Sequence, residues 1–300
     1  MRIVIAVLVL LLAIGAGVIA FPTPEPNPDH PYFSDAPKGR PEVIAHGAGL
    51  GVRPANTLSA LEVAASMGAD VLEVDAQQTA DGVLVLLHDA TLDRTTDQQG
   101  PIAEKTWLEV STADAGANRL IDGKDFSGQG IGVPRLRDAL GMFPEARWVI
   151  EIKPDTEQAA IAMCSAIKDT RSESRVLVAS FHKSAMEHFR AACPAVPTSM
   201  HSQEVSRFAL AAKVGLSKFV STPAMAMQVP IESAGIRIAD PKILDAARRR
   251  NIRVQFWTIN DQDEMKELLE LGADGIMTDY VERLWDVLPM SASKTAQKQQ

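Results

Sequence analysis

The central part of the chain alternates between two hydrophobic patterns. Short runs rich in Val, Ile and Leu are typical of buried strands, and longer stretches with apolar residues three or four positions apart are typical of amphipathic helices. Eight runs of the first kind occur, at residues 43–46, 71–76, 148–153, 175–181, 197–201, 218–222, 253–259 and 275–279. Stretches of the second kind separate most of them, at residues 57–67, 157–167, 184–192, 241–250 and 263–271. This alternation predicts an α/β fold with a parallel sheet covered by helices, and eight strands predict a (β/α)8 TIM barrel.

One apolar run breaks the alternation. The run at residues 83–89 follows the second predicted strand after only a few residues centred on Asp81 and Gly82. Such a connection is too short for a parallel crossover and suits a hairpin turn, so these two strands are predicted to be antiparallel. Folding the chain back at this turn is expected to place His88 opposite Asp75.

Four further segments complete the predicted organisation. Residues 94–130 contain several glycines and little periodicity, which predicts a small inserted subdomain over the mouth of the barrel. Residues 22–41 carry seven of the 18 prolines, which predicts a semi-rigid linker that spaces the domain from a membrane. Residues 289–300 are polar and aperiodic and are predicted to be disordered. Residues 42–288 are therefore predicted to form the folded unit, close to the ~250 residues of a typical barrel.

The amino terminus has the pattern of a membrane segment. Residues 3–21 carry no charge and would form a helix of about 28 Å, against a hydrocarbon core of ~30 Å. Arg2 on the amino-terminal side predicts that the body of the protein lies outside the cytoplasm, on the periplasmic side of the inner or plasma membrane. The alternative is a signal peptide cleaved after residues 18–20. Residues 1–21 are interpreted as an anchor, because the apolar stretch exceeds the usual length of a signal peptide core.

Composition and charge narrow the possible partners. Thirty Lys and Arg against 38 Asp and Glu give a net charge of -8, which disfavours binding to nucleic acid. Cys164 and Cys193 are not spaced like a zinc site and are too few for a disulfide framework. They are expected to be two partly buried thiols.

Three carboxylates are predicted to converge inside the barrel. Glu73 and Asp75 lie two residues apart on one strand and therefore point to the same face. Glu151 lies on a neighbouring, otherwise apolar strand. Burying three carboxylates is costly unless a cation neutralises them, and oxygen ligands suit Mg²⁺ or Ca²⁺. The sequence therefore predicts a divalent cation site.

Two histidines and a lysine are predicted to lie beside this site. His46 ends the first strand and His88 ends the hairpin, positions suited to a general acid and a general base. Lys153 shares the inward face of Glu151 and supplies a positive charge for an anionic oxygen. The other histidines are expected to be structural: residues 30, 182, 188 and 201.

An ordered set of motifs resembles a known family. It comprises IAHG at 44–47, ANTLSAL at 55–61, the run from GADVLEVDA to LDRTTD at 68–97, VPRLRDAL at 133–140, IEIKP at 150–154 and the run from WTIN to MTDY at 257–280. The set resembles the glycerophosphodiester phosphodiesterase family, whose barrel hydrolyses glycerophosphodiesters to sn-glycerol 3-phosphate and an alcohol with a divalent cation. The resemblance implies that Glu73, Asp75 and Glu151 are metal ligands. It also implies that His46 and His88 are the acid and base.

The resemblance extends to the substrate contacts, with two departures. It implies that Lys153 contacts the phosphate and that Trp257 forms part of the pocket wall. The family usually has Arg after the first His and Glu before Asn-Thr, whereas this chain has Gly47 and Ala55. Arg53 lies in the same loop and is expected to contact the phosphate instead.

Two alternative functions remain open at this stage. A lysophospholipase D with the same barrel and chemistry would act on a lipid, which the predicted anchor and the apolar residues 224–231 favour. A non-catalytic protein that binds phosphodiesters is suggested by Gly47 and Ala55. The complete set of histidines and carboxylates argues against a protein that only binds.

Overall fold

The computed structural model describes residues 23–118, 120–233 and 235–289 of the chain. In chain order, the strands of these residues are β1 (Glu42–Ala45), β2 (Val71–Gln78), β3 (Leu84–Leu86), β4 (Leu120–Ile121), β5 (Lys124–Asp125), β6 (Trp148–Ile152), β7 (Val176–Ala179), β8 (Ala226–Val229), β9 (Glu232–Ser233), β10 (Ile236–Arg237), β11 (Arg253–Phe256) and β12 (Gly275–Thr278). The α-helices are α1 (Leu58–Ser66), α2 (Trp107–Val110), α3 (Leu136–Met142), α4 (Glu157–Asp169), α5 (Lys183–Ala192), α6 (Ser202–Lys213), α7 (Pro241–Arg248), α8 (Gln262–Leu271) and α9 (Val281–Val287).

The parallel strands curve into a barrel. Their order around the sheet is β7-β6-β2-β1-β12-β11-β8, and every neighbouring pair in this order is parallel. Isolated bridges close the remaining gap, since Thr198 pairs with Val178 and Ser199 pairs with Ala226. The predicted strand at 197–201 therefore occupies the fifth position of the barrel through these bridges. The predicted TIM-barrel-like α/β fold is confirmed.

The sixth barrel strand lies later in the chain than its apolar pattern indicated. The predicted strand at 218–222 is wrong, because a short 3-10 helix, Ser217–Phe219, and irregular chain occupy this region. The strand at this position is β8 instead. A strand of a parallel barrel is covered on both faces, and β8 meets this condition because Ala226 faces the barrel interior while Met227 faces the surrounding helices. Residues 218–222 are mostly exposed or half-buried.

The predicted hairpin forms with a register one residue different from expectation. Strands β2 and β3 are antiparallel, with Ala76 opposite Leu86. The backbone N–H of Leu87 donates to the carbonyl of Asp75 at 3.0 Å, so Leu87 rather than His88 lies opposite Asp75. The cause is the turn, in which Thr79 and Val83 close the loop and fix the register.

The region predicted as an inserted subdomain packs on this hairpin. It contains α2 and the β4-β5 pair. A separate small core joins its apolar side chains to the hairpin: Val85, Leu87, Leu92, Ile102, Val110, Ala113, Ala115 and Val133. The insertion therefore extends the barrel on the side where the hairpin ends.

The segment predicted as a semi-rigid linker is docked against the barrel. The N–H of Asn27 donates to the carbonyl of Arg250 at 3.0 Å, and Arg147 Nε donates to the carbonyl of Tyr32 at 2.9 Å. Tyr32 is fully buried and fills the opening at the amino-terminal ends of the strands, against residues such as Val71 and Ala226. These residues therefore pack on the barrel rather than extend away from it, because burial of Tyr32 stabilises docking. Their role as a spacer from a membrane stays a prediction.

The two cysteines form a disulfide rather than two thiols. Cys164 lies in α4 and Cys193 follows α5, and their Cα atoms are 5.6 Å apart. The expectation of free thiols is wrong because two helices that are adjacent in the chain pack side by side and bring these residues together.

Within the described ranges, no helix is long and apolar enough to cross a membrane. The predicted anchor at residues 1–21 lies outside those ranges.

Candidate active site

The three predicted carboxylates meet at the carboxyl-terminal end of the barrel. Asp75 on β2 pairs directly with Glu151 on β6, and Glu73 lies two residues before Asp75 on the same face. Glu73 and Asp75 are buried and Glu151 is half-buried. One oxygen from each carboxylate lies within 4.8 Å of the others, so the three can hold one metal ion.

Neighbouring groups fix the carboxylates in place. The N–H of Gly47 donates to Glu73 Oε2 at 2.7 Å. Asn56 forms two hydrogen bonds with Asp75. Its Nδ2 donates to Asp75 Oδ2 and its Oδ1 accepts from the Asp75 N–H, both at 2.9 Å. These bonds occupy Glu73 Oε2 and Asp75 Oδ2, so the second oxygen of each carboxylate remains for other partners.

A single lysine lies among the carboxylates. Lys153 Nζ lies 3.0 Å from both Asp75 Oδ1 and Glu151 Oε2. Burial opposes the charge on this lysine, but the two carboxylates outweigh burial and raise the pKa of Lys153. Lys153 therefore lies beside the carboxylates, as the sequence predicted.

The carboxylates are not fully compensated by this lysine. Burial, and then the charge of Asp75, raise the pKa of Glu73 to about 8. Burial also raises the pKa of Glu151, against the opposing charge of Lys153. The three acidic groups have two positive neighbours, Lys153 and His46, and the pKa of Glu73 stays raised in spite of His46. Their oxygen donors fit Mg²⁺ or Ca²⁺.

His46 is held by a carboxylate at the end of the last strand. Its Nδ1 lies 2.7 Å from Asp279 Oδ1, and Asn260 Nδ2 donates to Asp279 Oδ2 at 2.7 Å. Burial lowers the pKa of His46, but the bond to Asp279 and the charges of Glu73, Asp279 and Asp75 outweigh burial and raise it to about 9. The arrangement fixes the ring and leaves Nε2 for the site.

His88 has a similar partner with a different support. Its Nδ1 lies 2.9 Å from Asp89 Oδ1, and Arg94 holds Asp89 through two bonds of 2.5 and 2.8 Å. These bonds to Arg94 outweigh burial and lower the pKa of Asp89 to about 2. His88 and His46 both line the space next to Asp75, so the predicted pair is brought together.

A cavity leads from the carboxylates into the barrel mouth. It is lined by the three carboxylates, His46, Lys153 and, beyond them, Val149, Ala179, Ser180, Phe181, Ser199, Met200, Gln228, Trp257, Thr258 and Met277. The rings of Trp257 and Phe181 meet edge to face with their centroids 5.7 Å apart. Trp257 therefore lies in the pocket wall, where the resemblance implied it.

Arg53 lies away from this cavity. Its guanidinium stacks on the ring of Phe126 at 5.3 Å and Nη1 donates to the carbonyl of Val52. It is absent from the residues that line the cavity. The structure therefore does not place Arg53 where the phosphate was expected to bind. Its guanidinium contacts the ring of Phe126 in the insertion instead.

Several residues of the site received no role from the sequence. They are Asn56, Asp89, Arg94, Asn260 and Asp279, which hold the carboxylates and histidines, and Phe181 and Gln228, which line the cavity. The five residues that hold the carboxylates and histidines all lie in the runs that carry the family resemblance. Membership in these runs could have identified them as site residues. The contacts that they form with residues far away in the chain cannot be derived from sequence spacing.

Comparisons with known proteins identify the family and agree with the fold. The model of the glycerophosphoryl diester phosphodiesterase family matches residues 46–283. The glycerophosphodiester phosphodiesterase of Caldanaerobacter subterraneus subsp. tengcongensis is 28% identical over 255 residues, which cover 81% of this chain and 95% of that protein. A lysophospholipase D of Mus musculus is 25% identical over 272 residues, which cover 82% of this chain and 85% of that protein.

A solved structure shares the fold. The phosphodiesterase of Oleispira antarctica, solved in complex with the product sn-glycerol-3-phosphate, aligns with a TM-score of 0.68 and 24% identity, covering 83% of this chain and 96% of that chain. The family match spans most of the barrel and every residue of the carboxylate and histidine set. The chain therefore belongs to the glycerophosphoryl diester phosphodiesterase family of enzymes.

Proposed function

We propose that this enzyme hydrolyses soluble glycerophosphodiesters to sn-glycerol 3-phosphate and an alcohol with the help of a divalent cation. One observation carries the proposal: Glu73, Asp75 and Glu151 converge beside Lys153, with two histidines at the same end of the barrel. The carboxyl-terminal face of such barrels is where catalytic groups gather.

Glu73, Asp75 and Glu151 would hold the cation. When bound, Mg²⁺ or Ca²⁺ polarises the phosphoryl oxygens and stabilises the charge that develops on them. The raised pKa of Glu73 supports this assignment, because a buried carboxyl that resists ionisation becomes stable as a carboxylate once a cation is its neighbour.

The protein's own residues supply charge and protons. Lys153, fixed between Asp75 and Glu151, presents its ammonium to an anionic phosphate oxygen. One histidine removes a proton from the nucleophile and the other donates a proton to the departing alkoxide. Asp279 and Asp89 orient the two rings, which keeps each Nε2 available for these transfers.

The docked segment supports a soluble substrate over a membrane lipid. All its contacts, such as Asn27 with Arg250 and Tyr32 with Arg147, lie at the amino-terminal ends of the strands. An anchor at residues 1–21 would therefore attach to the face opposite the active site and point the mouth of the barrel away from the bilayer. The apolar residues 224–231, which suggested lipid contact, belong largely to β8 and the barrel core.

The proposed location outside the cytoplasm has one further support. The disulfide between Cys164 and Cys193 is of the kind that persists in oxidising compartments. It accords with a domain exported to the periplasmic side and tethered through residues 1–21.

The test is a side-by-side hydrolysis assay of the full chain. Glycerophosphocholine and a lysophospholipid with the same headgroup are each supplied with Mg²⁺ or Ca²⁺, and glycerol 3-phosphate is measured against lysophosphatidate. The proposal expects turnover of the soluble diester to exceed that of the lipid. Faster release of lysophosphatidate would favour the lysophospholipase D function, which the Mus musculus relative suggests.

A further inference from the structure

A second, smaller cavity opens on the other side of the reacting groups. It shares His46 and Asp75 with the first cavity and continues between His88 and the inserted region. The two cavities therefore meet where the phosphate is proposed to lie. A diester has two ester arms, and this site has a space for each.

The space exists because two facing residues are small. A Cβ placed on Gly47 would lie 3.1 Å from the Cβ of Ala55. Larger side chains at these positions would fill the gap between the loop after β1 and the insertion. Leu50 and Leu87 form apolar walls around it.

One of the residues that line this cavity has a hydroxyl group without a partner. The hydroxyl oxygen of Thr95 is buried and forms no hydrogen bond within the described part of the protein, and Thr95 lines the cavity. A buried hydroxyl without a partner is unfavourable, so a ligand that bonds it is favoured over one that cannot.

The lining leaves no unpaired carboxylate for a cationic headgroup. Arg94 is already paired with Asp89, and Asp75, the one carboxylate among the described lining residues, already contacts Lys153 at 3.0 Å. No Phe, Tyr or Trp side chain is among the described lining residues, so the lining offers a trimethylammonium group none of the aromatic faces that such groups prefer.

We propose that this cavity receives the alcohol arm of the diester and selects a small, neutral, hydroxylated group such as glycerol. Thr95 donates to or accepts from a hydroxyl of that arm, and Gly47 and Ala55 determine the size that fits. The proposal rests on the proposed function, because it assigns the second arm of the same substrate.

The experiment compares three esters of glycerol 3-phosphate on the full chain. Their alcohols are glycerol, choline and methanol, and the methyl ester is too small to need the cavity. We expect kcat/KM for the glycerol ester to exceed that for the choline ester by about 10-fold, the scale of one hydrogen bond. Thr95→Val should reduce this preference to near unity, through a loss on the glycerol ester.

A second variant tests the size of the cavity. Ala55→Leu should lower the ratio of kcat/KM for the glycerol ester to that for the methyl ester by about 10-fold or more, since the added carbons occupy the cavity. Ala80→Leu, at an exposed position in the hairpin turn, is the matched control and should leave this ratio unchanged.

Two outcomes would overturn the proposal. One is an unchanged glycerol-to-choline ratio in Thr95→Val, and the other is an unchanged glycerol-to-methyl ratio in Ala55→Leu. Calorimetric binding of the same three esters separates this proposal from the proposed function. Absence of turnover by the wild type would contradict the function, while the order of the binding affinities would still decide the selectivity.

Discussion

The two ends of the barrel both bury charged side chains, but they balance the charge differently. At the amino-terminal end, Arg147 Nη2 lies 2.6 Å from Glu42 Oε1, and Gln255 donates to Glu42 Oε2 at 2.8 Å. Tyr32 closes that end above them. At the carboxyl-terminal end, two of the three carboxylates, Asp75 and Glu151, share the ammonium of Lys153, and His46 is the cationic neighbour of Glu73.

The difference separates stability from function within one barrel. The acid at the closed end has a fixed cationic partner and an amide donor within the fold, although burial outweighs both and raises the pKa of Glu42. The acids at the open end line the cavity, where the proposed cation would add a further positive charge. Two glutamates therefore have different roles. Glu42 at the start of β1 serves stability, and Glu73 in β2 serves the proposed function.

Exchanging a glutamate for glutamine at each end should give opposite results. Glu73→Gln should lower kcat/KM by roughly 10³-fold, because a cation contributes several kcal/mol to transition-state stabilisation. Its free energy of unfolding should stay equal or rise, since repulsion with Asp75 is removed. Glu42→Gln should retain activity below its unfolding temperature and lose stability. Steady-state kinetics and urea unfolding of both variants measure the contrast.

One result would contradict this contrast between the two ends of the barrel. If Glu42→Gln lost activity as strongly as Glu73→Gln while both stayed folded by circular dichroism, the division between the two ends would be incorrect.

The histidines are expected to give the next largest effect. His46→Ala and His88→Ala should each lower turnover by about 10² to 10⁴, the usual range for general acid or base catalysis. An aryl phosphodiester with a good leaving group needs little protonation, so one of the two variants should recover on that substrate. Equal losses on natural and activated esters would indicate that both histidines only orient the phosphate or metal.

Breaking the ion pair at the closed end should affect stability alone. Arg147→Met leaves Glu42 buried without its cationic partner, and such losses cost about 3–5 kcal/mol. Urea unfolding should show this decrease, while kcat at low temperature should remain that of the wild type. A fall in kcat without a fall in stability would connect the two ends.

The disulfide should contribute a smaller stability term. Reducing Cys164–Cys193, which are separated by 29 residues, should lower the free energy of unfolding by about 2–4 kcal/mol. Cys193→Ser should match the reduced wild type, and neither treatment should change kcat/KM. Unchanged stability on reduction would show that helix packing alone holds α4 to α5.

The same comparison explains what the sequence could predict. The carboxylate cluster was predictable, because a period of two on β2 and the pairing of neighbouring strands follow from local pattern. The position of Lys153 followed from the same rule. Docking of Tyr32 was not predictable, since partners such as Val71 and Arg147 lie far away in the chain and the prolines around Tyr32 favour extended chain.

Other errors have a similar origin in distant contacts. The segment at 218–222 and β8 have comparable apolar patterns, and only their burial in the fold distinguishes them. Arg53 was close to the site in sequence, but the insertion supplied Phe126 as its partner. Asp279 joins His46 across 233 residues, a separation that no local period encodes.

The most direct test of the account is metal occupancy measured together with turnover. The full chain is stripped with a chelator and dialysed against increasing Mg²⁺ or Ca²⁺, and bound metal and release of glycerol 3-phosphate from a glycerophosphodiester are measured in each sample. The account predicts that turnover rises in proportion to one bound cation per chain, and that Glu73→Gln loses both together. Full turnover by the stripped protein in excess EDTA would contradict it.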